Sequence, residues 1–191
     1  GRTGGGTRGP AGDMPDVEVL APDHIGLTAT AQPTLYWFLE GPARGTVEIG
    51  LETLELTGAP PLLELTLPKA PAPGINAIDL AAHKVRLQPG TTYRWSVAVV
   101  TDPDQRSADL IASGLIRHSP PEAPLAAARI RDPLAAGYEF ASLGYWYDAL
   151  AALSRAVSAK SGETRARQLR AELLDHAGLA GPARFERARG R

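Results

Sequence analysis

The chain has 191 residues and a formal net charge of −1, with 21% charged residues. This balance provides no global basic field, so we predict no nucleic-acid partner. The chain contains no cysteine, which excludes disulfides, thiolate metal sites and cysteine nucleophiles. No apolar run reaches the ~18 residues that a membrane helix needs, so we predict no membrane span.

Residues 1–15 form a glycine-rich N-terminal arm that offers almost nothing for a core to bury. Ordering a backbone costs roughly 1–2 kcal/mol per residue, so the chain's own domain is not expected to hold the arm. Glycine suits a close approach of two backbones, and an extended arm can add to an open sheet edge. We therefore predict that the arm connects copies of the chain, through the residues Arg2, Gly4, Gly5, Gly6, Thr7, Arg8 and Gly9.

Three of these glycines, Gly4, Gly6 and Gly9, also satisfy the G-x-G-x-x-G spacing of dinucleotide sites. Such a site needs a preceding strand and a following helix whose N-terminus receives the phosphates. The sequence predicts neither element here, so we expect no cofactor.

Residues 16–118 consist of short β-rich runs separated by proline, glycine and aspartate. Seven runs are expected to form strands: VEVLAP, PTLYWFLE, GTVEIGLETLELT, PLLELTL, INAIDL, TTYRWSVAVV and ADLIASGLIRH. About seven short strands with regular turn signals are typical of an antiparallel β-sandwich. In the sixth run, period-two alternation predicts a core face made of Tyr93, Trp95, Val97 and Val99.

The segment from Leu87 to Val97 resembles the loop and sixth strand of fibronectin type III domains. In such domains a tyrosine corner closes the turn by a hydrogen bond between hydroxyl and backbone, which gives Tyr93 a structural role. The run PTLYW resembles an early strand of the same sandwich, in which Trp37 fills the space between the sheets. The resemblance implies a fibronectin/Ig-like fold and makes Trp95 a core residue as well.

The stretch SPPEAP at residues 119–124 is predicted to be a proline linker that ends the last strand. It precedes an Ala- and Leu-rich helical unit at residues 125–191. There, apolar residues recur at three- and four-residue spacing and predict a helix with one apolar side. These residues are Trp146, Ala149, Leu150, Leu153 and Val157. A second helix is predicted over roughly residues 162–177, ended by Gly178.

This helical unit resembles a tetratricopeptide repeat, in which small and large residues interlock across paired helices. The residues that fit the pattern are Gly137, Phe140, Gly144, Trp146, Ala149, Leu153, Ala156 and Gly178. The resemblance implies structural roles for Trp146, Ala149 and Leu153. Pro133 replaces the tryptophan usual near the repeat start and Ser161 replaces the terminal proline, so we expect one diverged unit that packs on the sandwich.

The C-terminal region has a local basic bias. Its arginines are Arg165, Arg167, Arg170, Arg184, Arg187, Arg189 and Arg191. Acidic residues interleave with them, which favours a solvated helix face over a surface for an acidic partner or a phospholipid. The ending GPARFERARGR is predicted to fray as a basic tail, and Asp148 is predicted to face solvent.

Seven short motifs occur along the chain: GGGTRG from Gly4, LAP from Leu20, GLT from Gly26, PTLYW from Pro33, YRW from Tyr93, SG from Ser113 and WYDAL from Trp146. In this order they resemble the domain of unknown function 928 family, an uncharacterised bacterial family of typically exported proteins. Members often carry two cysteines that this chain lacks, one of them at the place of Thr101. The resemblance implies an exported location and brings no established activity.

No pattern of residue types predicts catalysis or metal binding. Asp102 and Asp104 flank a proline after a strand, which favours a tight turn over a calcium site. No nucleophile elbow, P-loop or zinc signature is present, so we predict no enzyme, no cofactor and no metal. The four histidines form no H-x-x-x-H or H-E-x-x-H pair; they are His24, His83, His118 and His176.

We therefore expect an α+β protein: an antiparallel fibronectin/Ig-like β-sandwich followed by a small tetratricopeptide-like helical unit. Its expected role is that of a non-enzymatic structural or interaction protein outside the cytoplasm. A start at Gly1 rather than Met favours a chain whose signal peptide has been removed. The expected partner is another copy, in an oligomer or filament joined by strand addition of the arm, or another envelope protein. The alternatives are an adaptor that binds a different protein through the helical unit and a carbohydrate-binding module.

Overall fold

The computed structural model describes residues 3–5, 16–54, 59–122, 125, 129–159 and 163–190, with the backbone alone for residues 3–5. Two β-sheets face each other in these ranges and enclose the main core. Their nine described strands are β1 (Thr3–Gly5), β2 (Val17–Val19), β3 (Gly26–Thr28), β4 (Thr34–Leu39), β5 (Thr46–Thr53), β6 (Leu63–Thr66), β7 (Gly74–Asp79), β8 (Thr92–Val100) and β9 (Leu110–His118).

The larger sheet has the strand order β1-β9-β8-β5-β6, and β3 pairs with β9 in addition. The smaller sheet has the order β2-β4-β7 and is antiparallel. The pair of β3 and β9 is parallel, with Gly26 opposite Ile116, and so departs from the antiparallel pattern predicted for the sandwich. The seven predicted runs overlap β2 and β4 to β9. The sequence does not predict β1 and β3. Each has three residues, which is too short for an alternation of apolar and polar residues to be recognised.

Alternation along β8 puts four side chains in the core, as the sequence predicts: Tyr93, Trp95, Val97 and Val99, each at most 2% exposed. Trp37 of β4 is 1% exposed and lies in the same cluster. The Tyr93 hydroxyl accepts the backbone N–H of Gln88 at 3.0 Å, which ties the preceding loop to the strand. This is the type of bond that a tyrosine corner makes, whereas a wider likeness to fibronectin domains stays a prediction.

Four helices follow in the described part of the chain: α1 (Pro133–Ser142), α2 (Trp146–Ser158), α3 (Glu163–His176) and α4 (Ala180–Arg189). Helix α1 begins after Asp132, whose carboxylate accepts the backbone N–H groups of Leu134 and Ala135. Helix α3 is followed by Gly178 with φ of +70°, a conformation that glycine adopts without strain.

Helix α4 corrects a prediction. The ending from Gly181 is predicted to fray, yet most of it forms this helix, in which Ala183 and Glu186 are 0% exposed. Leu179, just before the helix, is also fully buried. The sequence pattern is misleading because α4 buries only two apolar residues, Pro182 and Ala183, and its third buried residue is the charged Glu186, which finds partners on α3.

The helices cover the outer face of the smaller sheet. Phe38 of β4 packs there with Leu150 of α2 and Ala183 of α4. Helices α1 and α2 approach closely, since a Cβ added to Gly137 would lie 2.7 Å from Leu153 Cδ2. The structure thus confirms an α+β fold with a sandwich and a small helical unit, whereas the tetratricopeptide likeness stays a prediction.

The start of α2 joins the helical unit to the sandwich. Tyr147 is 0% exposed and belongs to the main core. Its hydroxyl accepts the indole N–H of Trp95 at 2.9 Å and donates to the carbonyl of Leu115 at 3.0 Å. The neighbouring Trp146 is half-buried and donates its indole N–H to the carbonyl of Leu20 at 2.9 Å. The two parts are separated in sequence by the predicted proline linker, but they share buried contacts.

Candidate functional site

The outer side of β9 accepts part of the predicted arm from the same chain. β1 pairs antiparallel with residues 111–113, which we call the arm edge. The opposed residues are Thr3 with Ser113, Gly4 with Ala112 and Gly5 with Ile111. Thus the chain's own sandwich offers the open edge that the sequence analysis assigns to a neighbour. The other predicted arm residues lie outside the described residues: Arg2, Gly6, Thr7, Arg8 and Gly9.

Short strands cover both ends of this outer side of β9. β1 covers the arm edge, and β3 covers Ile116–His118. Between them, the Leu115 carbonyl accepts the Tyr147 hydroxyl. Ile111 is 48% exposed, so an apolar side chain faces solvent where β1 pairs. The arm edge therefore combines backbone pairing with an exposed apolar residue, a combination suited to strand addition.

A second candidate site is a cleft of about 650 Å³ between the smaller sheet and helices α2 to α4. The sheet contributes mainly apolar groups, and the helices contribute most of the polar ones. We call it the arginine cleft. The charged residues that line it in the described part of the chain are Arg155, Arg167, Arg170, Glu186 and Arg189.

A buried ion-pair network centred on Glu186 forms the inner wall of the arginine cleft. Arg170 donates Nε and Nη2 to one carboxylate oxygen of Glu186, at 3.0 and 2.7 Å. Arg167 lies 3.2 Å from the other oxygen and also pairs with Glu163 at 2.7 Å. Arg170 donates further to the Ser154 hydroxyl at 2.9 Å. The prediction of a solvated arginine face is therefore wrong for Arg170, whose side chain is 7% exposed, and for Arg167, at 13%.

The outer part of the arginine cleft carries Arg155 and Arg189, whose side chains are exposed. Within the described ranges neither arginine forms an ion pair. The Arg189 guanidinium lies 4.7 Å above the centre of the Phe185 ring. On the sheet side of the cleft, Tyr36 of β4 hydrogen-bonds Ser154 of α2, and burial raises the pKa of Tyr36 above its ordinary value of 10.0.

Asp148, in the first turn of α2, is another sequence prediction that the structure corrects. It is predicted to face solvent, yet its carboxylate accepts the backbone N–H of Ala29 at 2.9 Å and hydrogen-bonds the Thr28 side chain. Burial raises the pKa of the Asp148 carboxyl from its ordinary value of 3.8, and these hydrogen bonds oppose the rise in part. The periodicity of α2 could not show this burial because it comes from β3 on the sandwich.

Asp148→Asn is expected to change how stability depends on pH. Because the folded-state pKa of Asp148 is raised, the folded chain holds a proton that the unfolded chain has released, in the pH window above the ordinary pKa of 3.8. The free energy of unfolding therefore falls as pH rises through that window. The asparagine variant keeps an oxygen that accepts the Ala29 N–H, but it has no carboxyl to titrate and so loses this part of the pH dependence. Urea melts of both proteins between pH 4 and pH 8 test it, and parallel stability curves would contradict it.

The predicted structural residues lie away from the arginine cleft. Trp37, Tyr93 and Trp95 are in the sandwich core, and Ala149 is buried between helices. The sequence analysis missed the role of Arg170, although a signal was present. Arg170 lies four residues from Ala166 and from Leu174, both 0% exposed, so it belongs to the buried stripe of α3.

The remaining candidates show no ligand chemistry. Asp102 accepts the backbone N–H of Asp104 at 2.9 Å, a bond typical of a tight turn. Among the described residues, no group of three or more His, Asp or Glu side chains is placed to hold a metal ion. None of the helices in the described ranges has the length and apolar character to cross a membrane.

A β-sandwich whose smaller sheet is covered by a helical unit, with a charged cleft between the two, places the protein in the α+β class. Residues 3–185 match the family described as Domain of Unknown Function (DUF928), and the chain belongs to this family. This confirms the family that the sequence motifs resemble. The family's description names no activity. A comparison with curated proteins gave no match.

Proposed function

We propose that the chain is a non-enzymatic structural or interaction protein that assembles by strand addition. In this proposal, β1 of one copy pairs with the arm edge of the next copy. The supporting observation is the register of β1 on β9, in which a glycine-rich backbone fits the edge antiparallel. The extracytoplasmic location rests on the exported members that the family resemblance implies.

Exchange of β1 between copies replaces each hydrogen bond within a chain by the same bond between chains. Its free-energy cost is therefore small, and high protein concentration favours the exchanged form. Ten residues, 6–15, separate β1 from Asp16, and a segment of this length can span at most ~33–36 Å. That reach suits a neighbour in direct contact. If the donor strand and the acceptor edge lie on different faces, the contact repeats from head to tail.

The expected result of the first test is a disulfide between chains. The chain has no cysteine, so Gly5→Cys and Ile111→Cys can be introduced into two separate preparations. These positions are directly opposite in the pairing register, and Ile111 is exposed. Mixing the two variants at high concentration under oxidising conditions should give a heterodimer well above the level of either homodimer on non-reducing gels.

The matched control mixes Gly5→Cys with Leu143→Cys, because Leu143 is 45% exposed but lies at the end of α1. A deletion of residues 1–5 should also lower the particle mass measured by light scattering. Heterodimer at the control level, or an unchanged mass after the deletion, would show that the arm does not connect copies.

A further inference from the structure

The positive charge of the arginine cleft is only partly neutralised by its own carboxylates. The inner wall balances its charges, since Arg170 pairs with Glu186 and Arg167 pairs with Glu163. Arg155 and Arg189 then remain: no described residue forms an ion pair with either, although the Arg155 charge attracts the Asp148 carboxyl and acts to lower its pKa. The guanidinium groups of Arg155 and Arg189 therefore have no ion-pair partner among the described residues of the cleft, and they lie beside the buried network of its inner wall.

Two helices bring these surplus cations to one cleft. Arg155 comes from α2, and Arg189 is the last residue of α4. The buried network fixes α4 against α3, because both hydrogen bonds from Arg170 reach a Glu186 side chain that is 0% exposed. Arg189 is held further by its position above the Phe185 ring. A guanidinium held in place loses less entropy when it binds an anion.

The lining combines charge with apolar surface. Phe185, next to Arg189, and Ile75 of the sheet contribute apolar groups, and Ser158 and Tyr36 contribute hydroxyls. The Tyr36 hydroxyl is protonated at neutral pH, since its ordinary pKa is already 10.0 and burial raises that pKa further. A volume of about 650 Å³ is in the range of sites for small organic molecules.

Arginine recognises oxyanions specifically. Its planar guanidinium donates two parallel N–H bonds to a carboxylate or a phosphate, and such charge-assisted bonds are stronger than neutral ones. An apolar part attached to the anion gains from leaving water for an aromatic or aliphatic surface. A ligand that carries both features complements the lining better than a bare inorganic ion does.

We propose that the arginine cleft binds a small organic oxyanion. Its carboxylate or phosphate group contacts Arg155 and Arg189, and its apolar part lies against Phe185 and Ile75. This site lies on the helical unit and the smaller sheet, away from the arm edge on β9 of the larger sheet. Its occupation is therefore independent of assembly through the arm.

Titration calorimetry of the full chain at low ionic strength tests the proposal with benzoate and phenyl phosphate as probes. We expect saturable binding of at least one probe, and several-fold weaker binding of acetate and inorganic phosphate. Arg155→Ala and Arg189→Ala should each weaken the bound probe about tenfold, in line with the loss of one charge-assisted contact. Arg184→Ala is the matched control, since Arg184 is exposed on α4 and does not line the cleft.

The outcomes separate clearly. Stronger binding of benzoate assigns the site to carboxylates, and stronger binding of phenyl phosphate assigns it to phosphates. Circular dichroism of the two alanine variants should match the wild-type spectrum, because both arginines are exposed. Absence of saturation with both probes overturns the proposal. Equal weakening by Arg184→Ala also overturns it, because that result indicates general attraction to a basic surface.

Discussion

Replacing Glu186 with alanine is expected to lower the free energy of unfolding by about 3–5 kcal/mol, the usual cost of breaking a buried ion pair from one side. The substitution leaves the Arg170 guanidinium, on a side chain that is 7% exposed, without its carboxylate. It also removes one of the two carboxylate partners of Arg167. Urea denaturation monitored by tryptophan fluorescence measures the change.

Glu172→Ala is the matched control, because Glu172 is an exposed carboxylate on α3. Its effect should stay within about 0.5 kcal/mol. A double variant, Arg170→Met with Glu186→Met, should recover much of the loss, since apolar side chains can replace a buried pair without leaving a charge unpaired. A loss below about 1 kcal/mol for Glu186→Ala would contradict the role of this network in holding α4.

Tyr147→Phe is expected to lower the free energy of unfolding by about 2–4 kcal/mol, although it removes a single oxygen atom. The hydroxyl of Tyr147 joins the indole N–H of Trp95 to the carbonyl of Leu115 in a region with no solvent exposure for either ring. Its removal leaves one buried donor and one acceptor unpaired, at roughly 1–3 kcal/mol each. Thermal and urea melts provide the measurement.

Tyr138→Phe makes the same chemical change at a position that is 50% exposed, where the hydroxyl accepts a bond from Arg165. We expect its effect to remain within about 0.5 kcal/mol. If Tyr147→Phe is no more destabilising than Tyr138→Phe, the bond between α2 and the sandwich does not contribute to stability.

The core of the sandwich was predictable from sequence because its signal is local. Tyr93, Trp95, Val97 and Val99 alternate within nine residues of strand, and the pleat of a strand places alternate side chains on one face. The helix that begins at Trp146 was predictable for a similar reason, since its apolar residues repeat at helical spacing.

The arginine cleft was not predictable because its signal is tertiary. Glu186 and Arg170 are sixteen residues apart on different helices. The spacing of Arg170 within α3 indicates that its side chain is buried, but it does not identify the partner. Only the contact between α3 and α4 shows that they neutralise each other in the interior. The same limit applies to Asp148, whose partner Ala29 is 119 residues away along the chain.

The arm shows a second kind of limit. Its glycine-rich composition indicates a backbone that can pair with a sheet edge. Composition alone does not distinguish an edge of the same chain from an edge of a neighbouring copy. The pairing of Gly4 with Ala112 identifies which edge accepts the arm. Whether β1 pairs within its own chain or with another copy depends on the protein concentration and on the length of the segment 6–15.

The burial of Tyr147 sets an order of events during synthesis. The sandwich strands are all made by His118, but the ring that completes their core arrives nearly thirty residues later along the chain. Until then, the indole N–H of Trp95 lacks the hydroxyl that it donates to in the finished protein. A ribosome adds about 5–20 residues per second, so the sandwich waits seconds in an incomplete state, with apolar surface open to other chains. The core of the sandwich is therefore completed only after the first turn of α2 has been made.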